Sequence, residues 1–321
     1  MKKYDVTALG ELLIDFTDSG VSEQGNRLFE ANPGGAPCNV LAILTKLGKS
    51  CAFIGKVGDD LFGNMLNKTL RDVKIDTQGL VMDSYYNTTL AFVKNNEDGD
   101  REFSFYRHPG ADMMLKEEDI STDLIAGARI FHFGTLSMTD EEVRGATKRA
   151  ICCAKENGVL CSFDPNLREP LWSSLDLAKE QILYGLSQCD ILKISDNELE
   201  FVTGEKDYIK GIEVLKKWFP GIRLITYTEG AQGSHAFCKD MHVYCPSFLL
   251  GGTIETTGAG DTFGGCVLSY ILDHGLENLT ETDLMYMLRM ANAAAYLITT
   301  RKGALRVMPE REEILKILEE E

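Results

Sequence analysis

Strands that alternate with helices predict an α/β fold built on a mainly parallel, doubly wound sheet. Three observations carry that expectation. From Arg129 to Thr228, short β-rich runs and helical periods follow one another. The chain has 321 residues, 44% of them hydrophobic, enough to bury a large core. Late in the chain, Glu255-Thr256-Thr257-Gly258-Ala259-Gly260-Asp261-Thr262-Phe263-Gly264-Gly265 sets a glycine-flanked helix start before an apolar run at 266–272.

Taken in order, Tyr4–Leu9 alternates weakly and 12–14 is apolar, which together predict one central strand emerging near Asp15. Residues 18–32 are rich in Ser, Gly, Gln and Asn and read as a loop or short exposed strands before Pro33-Gly34-Gly35. Val40, Leu41, Ile43, Leu44 and Leu47 recur at helical spacing and stop at Gly48, a C-terminal cap. The β-rich runs 88–93 and 101–106 flank a turn cluster at 95–100, so they predict a hairpin with an exposed tip.

Strands follow at 129–133, 159–164, 191–194 and 222–228, with helices at 140–157, 176–187 and 209–219 and another ending near Gly204. Thr139 and Glu142 form a capping box for the first of these helices. A late hairpin covers 236–245, and the glycine motif opens a helix that Gly275 ends. Helices at 283–299 and 312–319 close the chain, the second amphipathic. Neither a repeat nor a low-complexity linker divides residues 1–321, so they read as a single domain.

The 33 basic and 49 acidic residues give a net charge of -16, which argues against nucleic acid or an anionic membrane as partner. Any phosphate must then be held locally, by backbone amides, a few arginines and a divalent cation. Nine cysteines, with no C-x-x-C pair, read as reduced and mostly buried thiols. Asp5, Gly10, Glu11 and Asp15 interrupt any signal segment, and no stretch approaches a membrane span, so the expected location is cytoplasmic.

The glycine motif carries the chemistry. Gly258 and Gly260 leave backbone amides bare at a helix start, where the dipole also favours negative charge. Asp261 would repel a resting phosphate, so its presence points to proton abstraction beside a place where negative charge passes through. Transfer of a phosphoryl group to a hydroxyl needs that combination. The competing readings are a plain first-turn capping Asp and a dinucleotide loop, the latter opposed by an acid directly after the second glycine. In parallel sheets ligands bind at the carboxyl ends of strands, where Asp15, Asp164, Ser195 and Thr228 all fall. The 88–106 hairpin has no helix of its own and suits a flap that excludes water.

Several segments resemble the ribokinase-like carbohydrate kinases and, among them, the fructokinases. They are Gly10-Glu11-Leu12-Leu13-Ile14-Asp15-Phe16, Gly34-Gly35-Ala36-Pro37-Cys38-Asn39-Val40, Gly55-Lys56-Val57-Gly58-Asp59-Asp60, Phe163-Asp164-Pro165-Asn166-Leu167-Arg168, Lys193-Ile194-Ser195-Asp196-Asn197-Glu198-Leu199, Thr257 to Asp261 and Ala291-Asn292-Ala293-Ala294. The resemblance implies a three-layer α/β sandwich with a small β lid, its segments at about 16–33 and 86–108. It implies transfer of the ATP γ-phosphoryl group to a primary sugar hydroxyl, with Asp261 as base and the Gly258, Ala259 and Gly260 amides as anion hole. Asp15, Gly34, Gly35 and Asn39 match sugar-holding positions, and Arg107 and Arg168 could reach the sugar or a phosphate. Lys193, Thr228, Gly230 and Asn292 match the nucleotide side, with Gly258 and Gly260.

Two departures stand out. Ser195 replaces the family's Asn in an Asn-x-x-Glu pair that organises Mg2+ through water, which leaves Glu198 for that role or as a plain capping box. Glu255 stands where the family often has an Asp that helps to bind K+. The leading expectation is phosphorylation of D-fructose to fructose 6-phosphate; the rivals are a 2-keto-3-deoxygluconate kinase and a catalytically inactive sugar-binding pseudokinase. A fructose 6-phosphate kinase is disfavoured, because the chain shows no extra basic cluster for a second phosphate. The exposed hairpin edge predicts a homodimer through the lid strands.

Overall fold

The computed structural model describes residues 2–95 and 101–319; the expected hairpin tip at 96–100 lies outside the described residues. β1 (Tyr4–Leu9) runs through the middle of a nine-stranded sheet with Val6, Ala8 and Leu9 fully buried. At Gly10 the chain leaves that sheet, and β2 (Leu13–Val21) pairs antiparallel with β3 (Arg27–Gly34) in a second one. The single opening strand expected through residue 14 is therefore two strands in two sheets. Both runs are apolar because Leu9 and Ile14 alike are buried, so hydrophobicity gives no sign of the break. Residues 18–32, read as a loop or short strands, are mostly the two arms of the β2–β3 hairpin.

α1 (Ala36–Lys46) starts behind Gly35 and ends before Gly48, as its apolar spacing requires. β4 (Cys51–Gly58), α2 (Leu61–Asp72) and β5 (Ile75–Asp83) form a unit that has no counterpart among the elements read from the sequence. β6 (Leu90–Asn95) and β7 (Arg101–Tyr106) pair antiparallel as expected, and β6 also joins β2 in parallel. The second sheet, where the lid is expected, thus has four strands in the order β3-β2-β6-β7.

The remainder is α3 (Thr122–Ala126), β8 (Ala128–Gly134), α4 (Glu141–Glu156), β9 (Leu160–Asp164), α5 (Leu175–Gln188), β10 (Ile191–Ser195), α6 (Asp196–Thr203), α7 (Tyr208–Trp218) and β11 (Leu224–Thr228). Then come the edge hairpin β12 (Ser234–Cys238) and β13 (Met241–Cys245), α8 (Ala259–His274), α9 (Glu281–Thr299) and α10 (Arg311–Glu319). The sheet order is β13-β12-β11-β10-β9-β8-β1-β4-β5, parallel except at the β12–β13 edge. The order reverses between β1 and β8, which opens a crevice at their carboxyl ends.

Side chains alternate across the sheet, as in β4, where Cys51 and Phe53 join one core and Ala52 and Ile54 the other. One face packs on α1, α2, α8, α9 and α10 and the opposite face on α3 to α7, which makes three layers. The expected Thr139–Glu142 capping box does not form: Asp140 caps α4 by accepting from the Glu142 amide. Thr139 instead donates to the Leu136 carbonyl at 3.0 Å and accepts from the Arg107 guanidinium at 3.0 Å. All nine cysteines are free thiols and all but Cys152 are buried. Among the described residues, no helix is long and apolar enough to cross a membrane.

Candidate active site

Gly258 holds φ +77° at the start of α8, a left-handed conformation that glycine alone takes without strain, and a Cβ there would lie 2.9 Å from the Ala304 Cβ. This turn sets Asp261 in the first helical turn, at the wall of a cavity of about 340 Å³. Of the three amides expected to form an anion hole, that of Ala259 donates to the Thr256 carbonyl at 3.2 Å. Gly258 and Gly260 line the cavity; Ala259 does not.

Asn39, from α1, donates its Nδ2 to Asp261 Oδ2 at 2.8 Å. A carboxylate attracts the donor end of an amide, so this bond fixes the orientation and leaves Asn39 Oδ1 buried without a partner among the described residues. Such a group costs about 1–3 kcal/mol. The expected sugar contact is therefore, in this structure, first of all a support for Asp261. Burial pushes the Asp261 carboxyl up, while Asn39, Lys193 and Arg168 work against the shift.

Asp15 extends from β2 into the same cavity. Burial raises its carboxyl to about 7, with Arg168 opposing and the Glu255 and Asp261 carboxylates adding to the rise. Gly34 makes room for it, since a Cβ at Gly34 would lie 2.4 Å from Asp15 Oδ2. Gly35, at φ +128°, lets the backbone pass the Glu11 carbonyl, which a Cβ would meet at 2.4 Å.

Lys193 Nζ lies 3.0 Å from Asp164 Oδ2, across from Gly260. Burial would strip its proton, but the Asp164 and Glu198 carboxylates more than offset that and hold it charged. Glu198 accepts the Leu167 and Ser195 amides, each at 2.9 Å, one on each oxygen. Burial works to raise Glu198, yet Lys193 and these amides hold it below the usual carboxylate range. Glu255 accepts the Gly303 amide at 2.7 Å and walls the cavity beside Asp15.

Arg107 does not join this group. Its guanidinium is buried on Asp112 at 2.8 Å, the Leu136 carbonyl and Thr139 Oγ1, and it is absent from the cavity wall. The expectation that it reaches sugar or phosphate is corrected by this burial. Arg168, exposed after β9, does line the cavity.

A second cavity, of about 470 Å³, opens on the other side of the Gly258 turn and is lined by Thr228, Gly230, Phe248, Ala259, Phe263, Ala295 and Tyr296. Thr256 and Gly260 belong to both walls, so the two cavities meet at the start of α8. Asn292 lines the second cavity, but its amide is committed: Nδ2 donates to the Cys245 and Pro246 carbonyls and Oδ1 accepts from Ser234.

Sequence reasoning missed Glu11, Phe105 and Leu136 in the first cavity's wall. Glu11 accepts the Ala36 amide at 2.7 Å, and burial raises it to about 7. A charged residue directly after Gly10 between two apolar runs was the available signal. Among the described residues no cluster of three or more His, Cys, Asp or Glu side chains could hold a metal ion.

Residues 3–311 match the family model described as pfkB family carbohydrate kinase. The chain is 44% identical over 315 residues to "Probable fructokinase-2" of Arabidopsis thaliana, covering 98% of this chain and 95% of that one. It is also 44% identical to "Fructokinase-1" of Zea mays, with 98% and 97% covered. Among solved structures, a fructokinase with bound ATP from Xylella fastidiosa superposes with TM-score 0.90 at 30% identity, covering 100% of this chain and 99% of that one. A fructokinase from Vibrio cholerae O395 with fructose, ADP and calcium bound does so with TM-score 0.87 at 30% identity, with 99% and 100% covered. Fold, glycine turn and sequence thus agree, and the chain belongs to the pfkB family of carbohydrate kinases.

Proposed function

We propose that this sugar kinase transfers the γ-phosphoryl group of ATP to a primary hydroxyl of D-fructose, giving fructose 6-phosphate and ADP. The observation that carries the reading is the Asn39–Asp261 pair at the junction of the two cavities. Sugar in the first cavity and nucleotide in the second would bring hydroxyl and γ-phosphate together beside Asp261. Asp261 takes the hydroxyl proton as the oxygen bonds to the γ-phosphorus, and the bond to the bridging oxygen breaks, so its electron pair leaves with ADP. The Gly258 and Gly260 amides and the Lys193 ammonium face the charge in transit.

Mg2+ fits the rim only indirectly: Glu198 already accepts two backbone amides, so it would hold the ion through water, and the ion would offset phosphate charge. Glu255 would have one carboxylate oxygen left for K+, the other being on Gly303. Thr228 and Gly230 would border the adenine, with Asn292 shaping the wall from behind.

Charge favours a neutral ketose. Asp15, Glu255 and Asp261 face the first cavity, and with Arg107 buried on Asp112 the two-arginine clamp that a 2-keto-3-deoxygluconate carboxylate would use is not assembled. The intact base opposes the pseudokinase reading. ATP turnover over fructose, glucose, ribose, 2-keto-3-deoxygluconate and fructose 6-phosphate tests this, with Asp261→Asn as background. Fructose is expected to be fastest; no sugar above background would overturn the assignment.

The nine free thiols support a reducing, cytoplasmic setting. Leu28 and Phe29, exposed on the lid's edge strand β3, support a homodimer through the lid. Light scattering that finds only monomer at assay concentrations would refute the dimer.

A further inference from the structure

The strands β6 and β7 leave the body at Thr89 and return to it at Arg107, and both residues bind one side chain, Asp112. Thr89 Oγ1 donates to Asp112 Oδ1 at 2.5 Å, and Arg107 Nε donates to Asp112 Oδ2 at 2.8 Å. The rest of the guanidinium reaches the body loop after β8, at the Leu136 carbonyl and Thr139 Oγ1, each at 3.0 Å. Arg107, Asp112 and Thr89 are all buried, and a Cβ at Gly110 would lie 1.8 Å from Thr89 Oγ1, so the chain is packed tightly around the knot.

What lies on either side of this knot gives it a role. Two residues before Arg107, Phe105 lines the sugar-side cavity from the lid; Leu136, whose carbonyl Arg107 holds, lines it from the body. We propose that Asp112, with Thr89 and Arg107, is a positioning device that joins the root of the lid to the body and so sets the spacing between the Phe105 and Leu136 walls. It acts on the sugar through those walls without touching it. The second cavity, lined from β11, α8 and α9, contains none of these residues and stays outside its reach. This inference rests on the reading of the first cavity as the sugar site.

The effect expected follows from the chemistry of the pair. Loss of a hydrogen bond to a buried charged group moves an equilibrium by roughly tenfold or more. In Asp112→Asn and in the milder Thr89→Val, the KM for fructose is expected to rise about tenfold and about threefold, with the KM for ATP within twofold of wild type. The double variant should be less than additive, since both changes cut one knot. Equal shifts in both KM values, or an unmoved fructose KM in folded protein, would overturn the proposal. If Asp112→Asn does not fold, Thr89→Val decides alone.

Hydrogen exchange of the sugar-free protein supplies a second arm that needs no substrate. The β6 and β7 amides of Thr89→Val should exchange faster while those of β8 to β11 keep wild-type rates. Unchanged lid exchange would overturn the clamp. A wild type inactive on fructose, with Thr89→Val still showing this exchange pattern, would instead refute the sugar assignment and leave the clamp standing.

Discussion

The two cavities that meet at Gly260 are built on different principles. The first cavity, proposed to hold the sugar, presents fixed charges and amides, with Asp15, Asn39, Arg168, Glu255 and Asp261 in its wall. The second cavity, proposed to hold the nucleotide, is mostly apolar, shaped by Phe248, Phe263, Ala295 and Tyr296, and its polar Asn292 is spent on backbone carbonyls. A polyol must be oriented hydroxyl by hydroxyl, which needs directional partners; a flat base needs a slot, and its phosphates are served by backbone amides at a helix start. On the proposed reading, the reacting groups would meet where the two styles of lining touch, at Thr256 and Gly260.

The largest break in that comparison is expected at the junction itself. Asp261→Asn removes the proposed base and should lower kcat by about 10³-fold, within the usual range for general base catalysis. Gly258→Ala forces a side chain into a left-handed turn against Ala304 and displaces the amides beside it, with an expected loss of about 10²-fold in kcat. Steady-state assays at saturating fructose and ATP measure both.

On the sugar side alone, Asp15→Asn should raise the KM for fructose about tenfold and leave the KM for ATP unchanged. Acidity gives a related expectation. Because burial raises Asp15 to about 7, its carboxylate is lost as pH falls through that value, so kcat/KM for fructose should decline below about pH 7. The raised Asp261 adds to the same acid limb, since a higher pKa keeps the base protonated to higher pH. A profile that stays flat down to the ordinary carboxylate range would contradict both shifts. The smallest change is expected on the nucleotide side: Ala295→Leu narrows the slot and should raise the KM for ATP about threefold, with the fructose KM unmoved.

What the sequence revealed follows the same division. The Gly258 turn and Asp261 were legible because bare glycines before an apolar helix are a local signal, and the repeats from β8 to β11 were legible through their periodicity. Arg107 was not. Its role depends on Asp112, Leu136 and Thr139, and only the folded chain shows that these four groups meet. Likewise the split between β1 and β2 is set by strand pairing, since apolar residues continue on both sides of Gly10 and Glu11 while β1 pairs with β4 and β8 and β2 with β3. Asn39 lines the first cavity, but its bond to Asp261 spans 222 residues and no spacing rule reaches so far. Glu198 was readable both as a cap and as a site residue, and the structure has it capping Ser195 from within the cavity wall.

Whether one base serves two separate binding sites is decided by calorimetry on Asp261→Asn combined with its turnover. Fructose and a non-hydrolysable ATP analogue should each bind within about threefold of wild type, while phosphoryl transfer falls by about 10³-fold. Retained transfer, or loss of both binding events together with it, would rule out a base at Asp261 that is separate from the two binding sites.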